Sequence, residues 1–252
     1  MLKIKSKQLY RVKITIEKNI LDMILPNRCV RCQREGGIFC ERCKKYISII
    51  NPGYVMNDMY GFEKLLVAGL KEGWFERMVR DFKYKGRRDY GEFLAEKLGK
   101  VILSEVEKMK LSGEWGGMLR EFCDEEMEVK KIVLVPLPTI RKHVRERGFD
   151  HTLRLCYELE KFLSKRLEKL GVKVEYEDLL VRKNKTVQVG KEKKERVKQA
   201  EKAYGIREGV KIENKTLYIL VDDVTTTGAS LAVAKKILQA DQVWAAVLMK
   251  ER

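Results

Sequence analysis

The run Ile219-Leu220-Val221-Asp222-Asp223-Val224-Thr225-Thr226-Thr227-Gly228-Ala229-Ser230 sets two adjacent carboxylates after an apolar stretch, then three threonines and a glycine. The pattern predicts a strand over 217–221 and a helix over 229–239. A helix N-terminus offers free N–H groups and a favourable dipole to a phosphate. Gly228 permits close approach of the backbone, and Thr226, Thr227 and Ser230 add hydroxyl donors. Asp222 and Asp223 would repel phosphate and instead suit sugar hydroxyls, or a magnesium ion held through water. The segment therefore asks for a ligand with phosphate and ribose side by side. A solvated Asp-Asp helix cap is the plain alternative.

A second candidate follows Val135-Pro136-Leu137-Pro138, where Arg141, Lys142, Arg145 and Arg147 put four cations within seven residues. At the end of a strand such a group suits a pyrophosphate, with Pro138, Arg141, Arg145 and Arg147 as contacts. His143 and His151 are the two histidines of the chain. Either has the chemistry of a general base, but the sequence shows no carboxylate partner, which favours a structural or phosphate-contact role. Further on, Lys183, Lys185, Lys191, Lys193, Lys194 and Arg196 form a basic stretch. It fits a lid over phosphates or a contact to a nucleic-acid backbone. Glu192 and Glu195 interrupt it as they would a solvated helix face.

Cys29-Val30-Arg31-Cys32, seven residues and Cys40-Glu41-Arg42-Cys43 form two Cys-x-x-Cys knuckles. Four thiolates at this spacing suit a closed tetrahedral zinc site, structural rather than catalytic. An iron–sulfur cluster or a redox disulfide is the alternative. Cys123 and Cys156 lack paired spacing, and Cys156 falls on the apolar face of a helix.

The elements that must position these groups alternate. Helices are expected over 9–25, 75–84, 88–109 and 151–170, and strands over 131–136, 179–182 and 243–249. Leu65–Leu70 is a short apolar run, 112–130 gives no clear pattern, and 183–202 reads as loop then helix. Strand–helix alternation implies an α/β fold, a parallel sheet flanked by helices. Asn51-Pro52-Gly53 marks a boundary between a small N-terminal module over 1–50 and a main domain over 51–252. Lys and Arg number 53 against 37 Asp and Glu, a net charge of +16 that points to phosphate or nucleic-acid ligands, or else to a Lys-rich solubilising surface. No signal-peptide core or membrane-spanning run is visible, so the chain reads as cytosolic without membrane insertion, where paired cysteines favour metal over disulfides.

The Asp222–Ser230 loop is similar to the motif with which type I phosphoribosyltransferases bind phosphoribosyl pyrophosphate (PRPP). Further motifs occur in order: Leu25-Pro26-Asn27-Arg28-Cys29 with the knuckle, Phe82-Lys83-Tyr84-Lys85-Gly86, and Val135–Pro138 with Arg145-Glu146-Arg147-Gly148-Phe149. Gln188-Val189-Gly190 with Arg196 completes the set. Together they resemble the ComF family of competence-associated, phosphoribosyltransferase-like proteins. Asp150-His151 stand where that family often has Asn-Gln. The resemblance implies a type I phosphoribosyltransferase-like sheet with a zinc-binding module. By it Asp222 and Asp223 would hold the ribose 2′ and 3′ hydroxyls, and Thr225–Ser230 would wrap the 5′-phosphate, with magnesium accompanying PRPP. Thr226 stands where purine-salvage members usually carry an aspartate, which argues against a hypoxanthine or guanine substrate. The resemblance also implies single-stranded DNA and a helicase-like protein as partners in DNA uptake. An active phosphoribosyltransferase and a PRPP sensor without catalysis are the competing expectations. Phe149 and Tyr204 are considered as base-stacking residues, with core packing as the plainer role.

Overall fold

A computed structural model describes residues 28–35, 37–50, 52–71, 73–112, 129–183 and 204–251. In chain order these form α1 (Glu41–Ile50), β1 (Tyr54–Met59), β2 (Phe62–Leu70), α2 (Gly73–Tyr84), α3 (Tyr90–Ser112), β3 (Lys131–Pro136), α4 (Arg141–Arg147) and α5 (His151–Leu167). There follow β4 (Lys173–Tyr176), β5 (Leu180–Arg182), β6 (Tyr204–Ile206), β7 (Thr216–Thr225), α6 (Ala229–Leu238) and β8 (Gln242–Lys250). The helix expected over 9–25 and most of 112–130 and 183–202 lie outside the described residues.

The central sheet has six strands in the order β1-β2-β8-β7-β3-β4, and β5 pairs with β6 in a separate antiparallel ribbon. β2, β8, β7, β3 and β4 are mutually parallel, while β1 turns back against β2 at the edge. The expected parallel α/β sheet flanked by helices is present. β7 is longer than expected, because Val224 and Thr225 still pair with Met249 and Lys250.

Period-two alternation feeds two cores, one on each face of the sheet. Leu66, Ala68, Ile132, Leu134, Ile219, Val221 and Ala246 point to the face covered by α2, α3 and α5. Leu65, Val67, Val133, Val135, Leu220, Ala245 and Val247 point to the other face, where α6 and the β5–β6 ribbon lie. The knuckle joins the first core through Cys29, Val30, Phe39, Cys43 and Ile47. Phe39 makes an edge contact with Trp74, ring centroids 5.3 Å apart, so the small module leans on the main one.

The connectivity decides where a ligand can sit. From β3 the chain crosses through α5 to β4 on one side; from β7 it crosses through α6 to β8 on the other. The two crossover helices lie on opposite faces. The strand order thus reverses between β3 and β7. In open α/β sheets the crevice outside the carboxyl ends of such strands is the ligand site. Pro136 pairs with Val221, and the Leu137 N–H donates to the Val221 carbonyl at 2.9 Å. The loop into α4 and the Asp222–Asp223 pair therefore leave the sheet side by side.

Candidate functional site

Asp223 is the most engaged group at this switch point. It is 3% exposed, and its Oδ2 lies 2.6 Å from Lys83 Nζ and 3.0 Å from His151 Nε2. Its Oδ1 accepts the Val224 N–H at 2.8 Å. Lys83 comes from the last turn of α2 and His151 from the first turn of α5, so three elements converge on one carboxylate. Burial alone would raise the Asp223 pKa. The hydrogen bond from His151 and the charge of the Lys83 ammonium outweigh it and hold the carboxyl well below its usual range. Asp222 is pushed the opposite way, by burial first and by the Asp223 charge second. Its Oδ1 accepts the Asp223 N–H at 2.8 Å.

His151 has both ring nitrogens occupied. Arg147 Nη1 lies 3.1 Å from its Nδ1. A guanidinium only donates, so Nδ1 accepts and the ring proton sits on Nε2, facing Asp223. In this arrangement both ring nitrogens are engaged by protein groups, and neither offers a lone pair to a substrate proton. The sequence suggested that neither histidine had a carboxylate partner. The structure supplies one to each, Asp223 for His151 and Glu146, at 3.1 Å, for the exposed His143. Asp150 caps α5, its Oδ1 accepting from the Thr152 and Leu153 N–H groups at 3.1 and 3.2 Å, which fixes His151 one residue on.

The threonine loop divides. Thr225 is buried within the β7–β8 ladder, and its carbonyl accepts the Glu251 N–H at 2.8 Å. Thr226, Thr227 and Ser230 are exposed, so their hydroxyls face solvent; Val224 and Ala229 are half-buried. Gly228 precedes α6 in the left-handed region (φ 70°), and no side chain caps the helix. The first N–H groups of α6 therefore carry no side-chain acceptor, as a phosphate cradle requires. Gly228 has a reason for lacking a side chain that differs from the one expected. A Cβ there would come within 2.2 Å of the Tyr60 ring, which packs on it from the β1–β2 turn. The Tyr60 hydroxyl donates to the Thr226 carbonyl at 2.6 Å. Because a trans peptide sets C=O and N–H on opposite sides, this bond also turns the Thr227 N–H away from Tyr60.

The basic residues after β3 form the short helix α4. Arg147 is brought to the site through His151, with its guanidinium 4.9 Å from the Tyr84 ring centroid. Pro138 is half-buried beside the strand ends, while Arg141 and Arg145 are exposed on α4. Of the six basic candidates in the later stretch, Lys183 is described and exposed; Lys185, Lys191, Lys193, Lys194 and Arg196 lie outside the described residues. Phe149 and Tyr204 are 7% and 6% exposed, so they are packing residues and offer no open face for stacking. Sequence reasoning missed Lys83, His151 as a partner of Asp223, and Tyr60. Lys83 had one local signal: it is a cation one residue after the apolar face of α2 ends at Phe82.

The four knuckle sulfurs lie within 4.8 Å of one another, and Cys32 Sγ is 3.6 Å from Cys40 Sγ. A tetrahedron with metal–sulfur bonds of about 2.3 Å has edges of about 3.8 Å, so the group can hold a metal such as zinc. The Cys32–Cys40 separation exceeds the roughly 2.05 Å of a disulfide. Burial pushes the Cys43 thiol up to about 12. At Cys29 burial acts in the same direction, but N–H groups of Cys32, Cys40 and Arg31 outweigh it and bring the thiol down to about 6. Cys156 is fully buried in α5, and burial raises its thiol as well, in line with an unreactive packing residue. Among the described residues no helix is long and apolar enough to cross a membrane. No protein-family model matches the chain, and no curated protein is significantly similar to it.

Proposed function

We propose that the protein binds PRPP or a related phosphoribosyl ligand at the β3–β7 switch point, on a type I phosphoribosyltransferase-like domain. The observation that carries this is the placement of Asp222 and Asp223 at the end of β7, directly before an uncapped helix N-terminus rimmed by Thr226, Thr227 and Ser230. Asp222 is the better ribose contact, because one of its oxygens has no protein donor among the described residues whereas both oxygens of Asp223 already face protein donors. Magnesium would arrive with the pyrophosphate, and the oxygen ligands of Asp222 and the substrate suit that hard cation. Zinc is the metal we assign to Cys29, Cys32, Cys40 and Cys43, as a structural site.

In this reading the chain acts as a ComF-type competence protein in the cytoplasm, handling single-stranded DNA with a helicase-like partner. The resemblance of the motifs and the charge of +16 support that part. The doubly engaged His151 favours ligand sensing over phosphoribosyl transfer, because among the described residues neither histidine offers a free ring nitrogen at the cradle. Pyrophosphate release with any acceptor would set sensing aside in favour of a working transferase. Calorimetric titration with PRPP and magnesium tests the pocket. Asp222→Asn should weaken binding at least about tenfold, the loss of one charge-assisted hydrogen bond. Unchanged affinity in that variant would overturn the assignment.

A further inference from the structure

A second concave site lies between the cysteine knuckle and α2, away from the switch point. It has a volume of about 440 Å³ and is lined by Arg28, Arg77, Arg80, Lys85, Arg87 and Asp81 among others. Five cations thus surround a single carboxylate. Arg77, Arg80 and Asp81 share one face of α2 by helical periodicity, and Lys83, two residues beyond Asp81, points to the other, where it meets Asp223. The groove and the cradle therefore occupy different faces of the same helix.

The groups in the groove are not all neutralised. Arg87 is held by Asp89 through two bonds of 2.9 and 2.6 Å and stacks 4.2 Å from the Tyr90 ring centroid, so it is a fixed wall. Arg80 reaches Asp81 only at 3.9 Å, and Lys85 reaches it at 3.2 Å. Arg28 and Arg77 have no carboxylate partner among the described residues and are exposed. Asp81 is 9% exposed, and its Oδ1 is buried without an aligned hydrogen bond. Lys85 already pairs with that oxygen, so Arg28 and Arg77 leave the groove with an excess of guanidinium charge.

We propose that this groove is a second phosphate-recognition site, built for a nucleotide unit. Planar arginine forks match phosphate oxygens in pairs, which an acidic peptide side chain satisfies with one carboxylate at most per residue. The Asp81 carboxylate, which lines the groove beside Arg80 and Lys85, takes the N–H of a base or the O–H of a sugar. The volume lies within the range of about 300–1,000 Å³ typical of small-ligand clefts. The unit can be a free nucleotide or one residue of a single strand; both present the same chemistry. The site does not depend on PRPP binding at the cradle.

The test uses the zinc-loaded full chain and three probes: adenosine diphosphate, inorganic pyrophosphate and fluorescein-labelled oligothymidylate. The variants are Arg77→Ala with Arg80→Ala, and separately Asp81→Asn. The double variant should bind the nucleotide or the oligonucleotide about tenfold more weakly per arginine while PRPP affinity stays unchanged. If a strand is the source, the slope of log affinity against log salt falls by about 0.7 per lost phosphate contact. Asp81→Asn should weaken the diphosphate nucleoside more than pyrophosphate, which lacks a base and sugar. Conversely, Asp222→Asn should spare pyrophosphate and oligothymidylate, which lack the ribose diol, and this separates the site from the cradle. Wild-type protein that binds none of the probes, variants that bind them as the wild type does, or displacement by polyaspartate as efficient as by nucleotide would each overturn the proposal.

Discussion

Lys83→Met should destabilise the protein in a way that depends on pH. The Asp223 side chain is 4% exposed and Lys83 23%, with the charges 2.6 Å apart. Removing one partner of a buried pair costs about 3–5 kcal/mol, because the other charge is left behind. Here His151 and the Val224 N–H still face Asp223, and Lys83 is not fully buried, so the cost falls at or just below that range, about 2–3 kcal/mol. For a chain of this size that lowers Tm by about 5–10 °C. The Asp223 carboxyl lies below its ordinary value in the folded state. Its stabilisation is therefore present above the unfolded carboxylate pKa of about 4 and is lost as pH falls through the depressed folded value. The variant has less of this to lose, so the two proteins should converge in acid. Urea unfolding followed by circular dichroism, at neutral pH and then stepwise into acid, measures both effects. A variant as stable as the wild type at neutral pH, or a deficit that does not shrink in acid, would refute the role given to the Lys83–Asp223 pair.

Asp222→Asn should raise stability at neutral pH by about 1 kcal/mol even as it weakens ligand binding. The Asp222 carboxyl is raised in the folded state, so its cost is absent below the unfolded pKa and grows as pH rises above it; the advantage of Asn should grow over that interval in the same unfolding series. Gly228→Ala should cost about 1–2 kcal/mol for the left-handed backbone and more for the clash with Tyr60. Tyr60→Ala should remove the clash but not the backbone strain, so the double variant recovers part of the loss, and additive losses would contradict the contact. Chelation of the knuckle metal should shift Trp74 fluorescence, because Phe39 packs on that ring, and should release about one zinc per chain; recovery of iron instead would rule out the zinc assignment.

Much of the sheet was legible because its strands are short apolar runs bounded by turn residues. β3 appears over the expected residues, and β7 and β8 contain the expected ones. β1 was not legible. It is an edge strand with one covered side, and Tyr-Val-Met-Asn-Asp-Met shows no clean alternation. α4 was not legible either, because a dense run of cations hides helical periodicity. The cradle itself was readable, since strand end, carboxylates, hydroxyls and helix start are consecutive in the chain.

By itself the sequence determined the chemistry of two local motifs: four thiols spaced for a metal, and an acidic pair followed by a threonine–glycine turn. Each depends on spacing of a few residues, which the backbone geometry converts directly into proximity. Only the tertiary structure decided what surrounds them. Tyr60 meets Thr226 across 166 residues, and Lys83 and His151 reach Asp223 from two different helices. Strand order brings these residues together, and strand order is a property of how the whole sheet buries its two faces, which no local pattern records. That packing made Asp223 the centre of a buried ion pair and left Asp222, its neighbour on β7, half-buried.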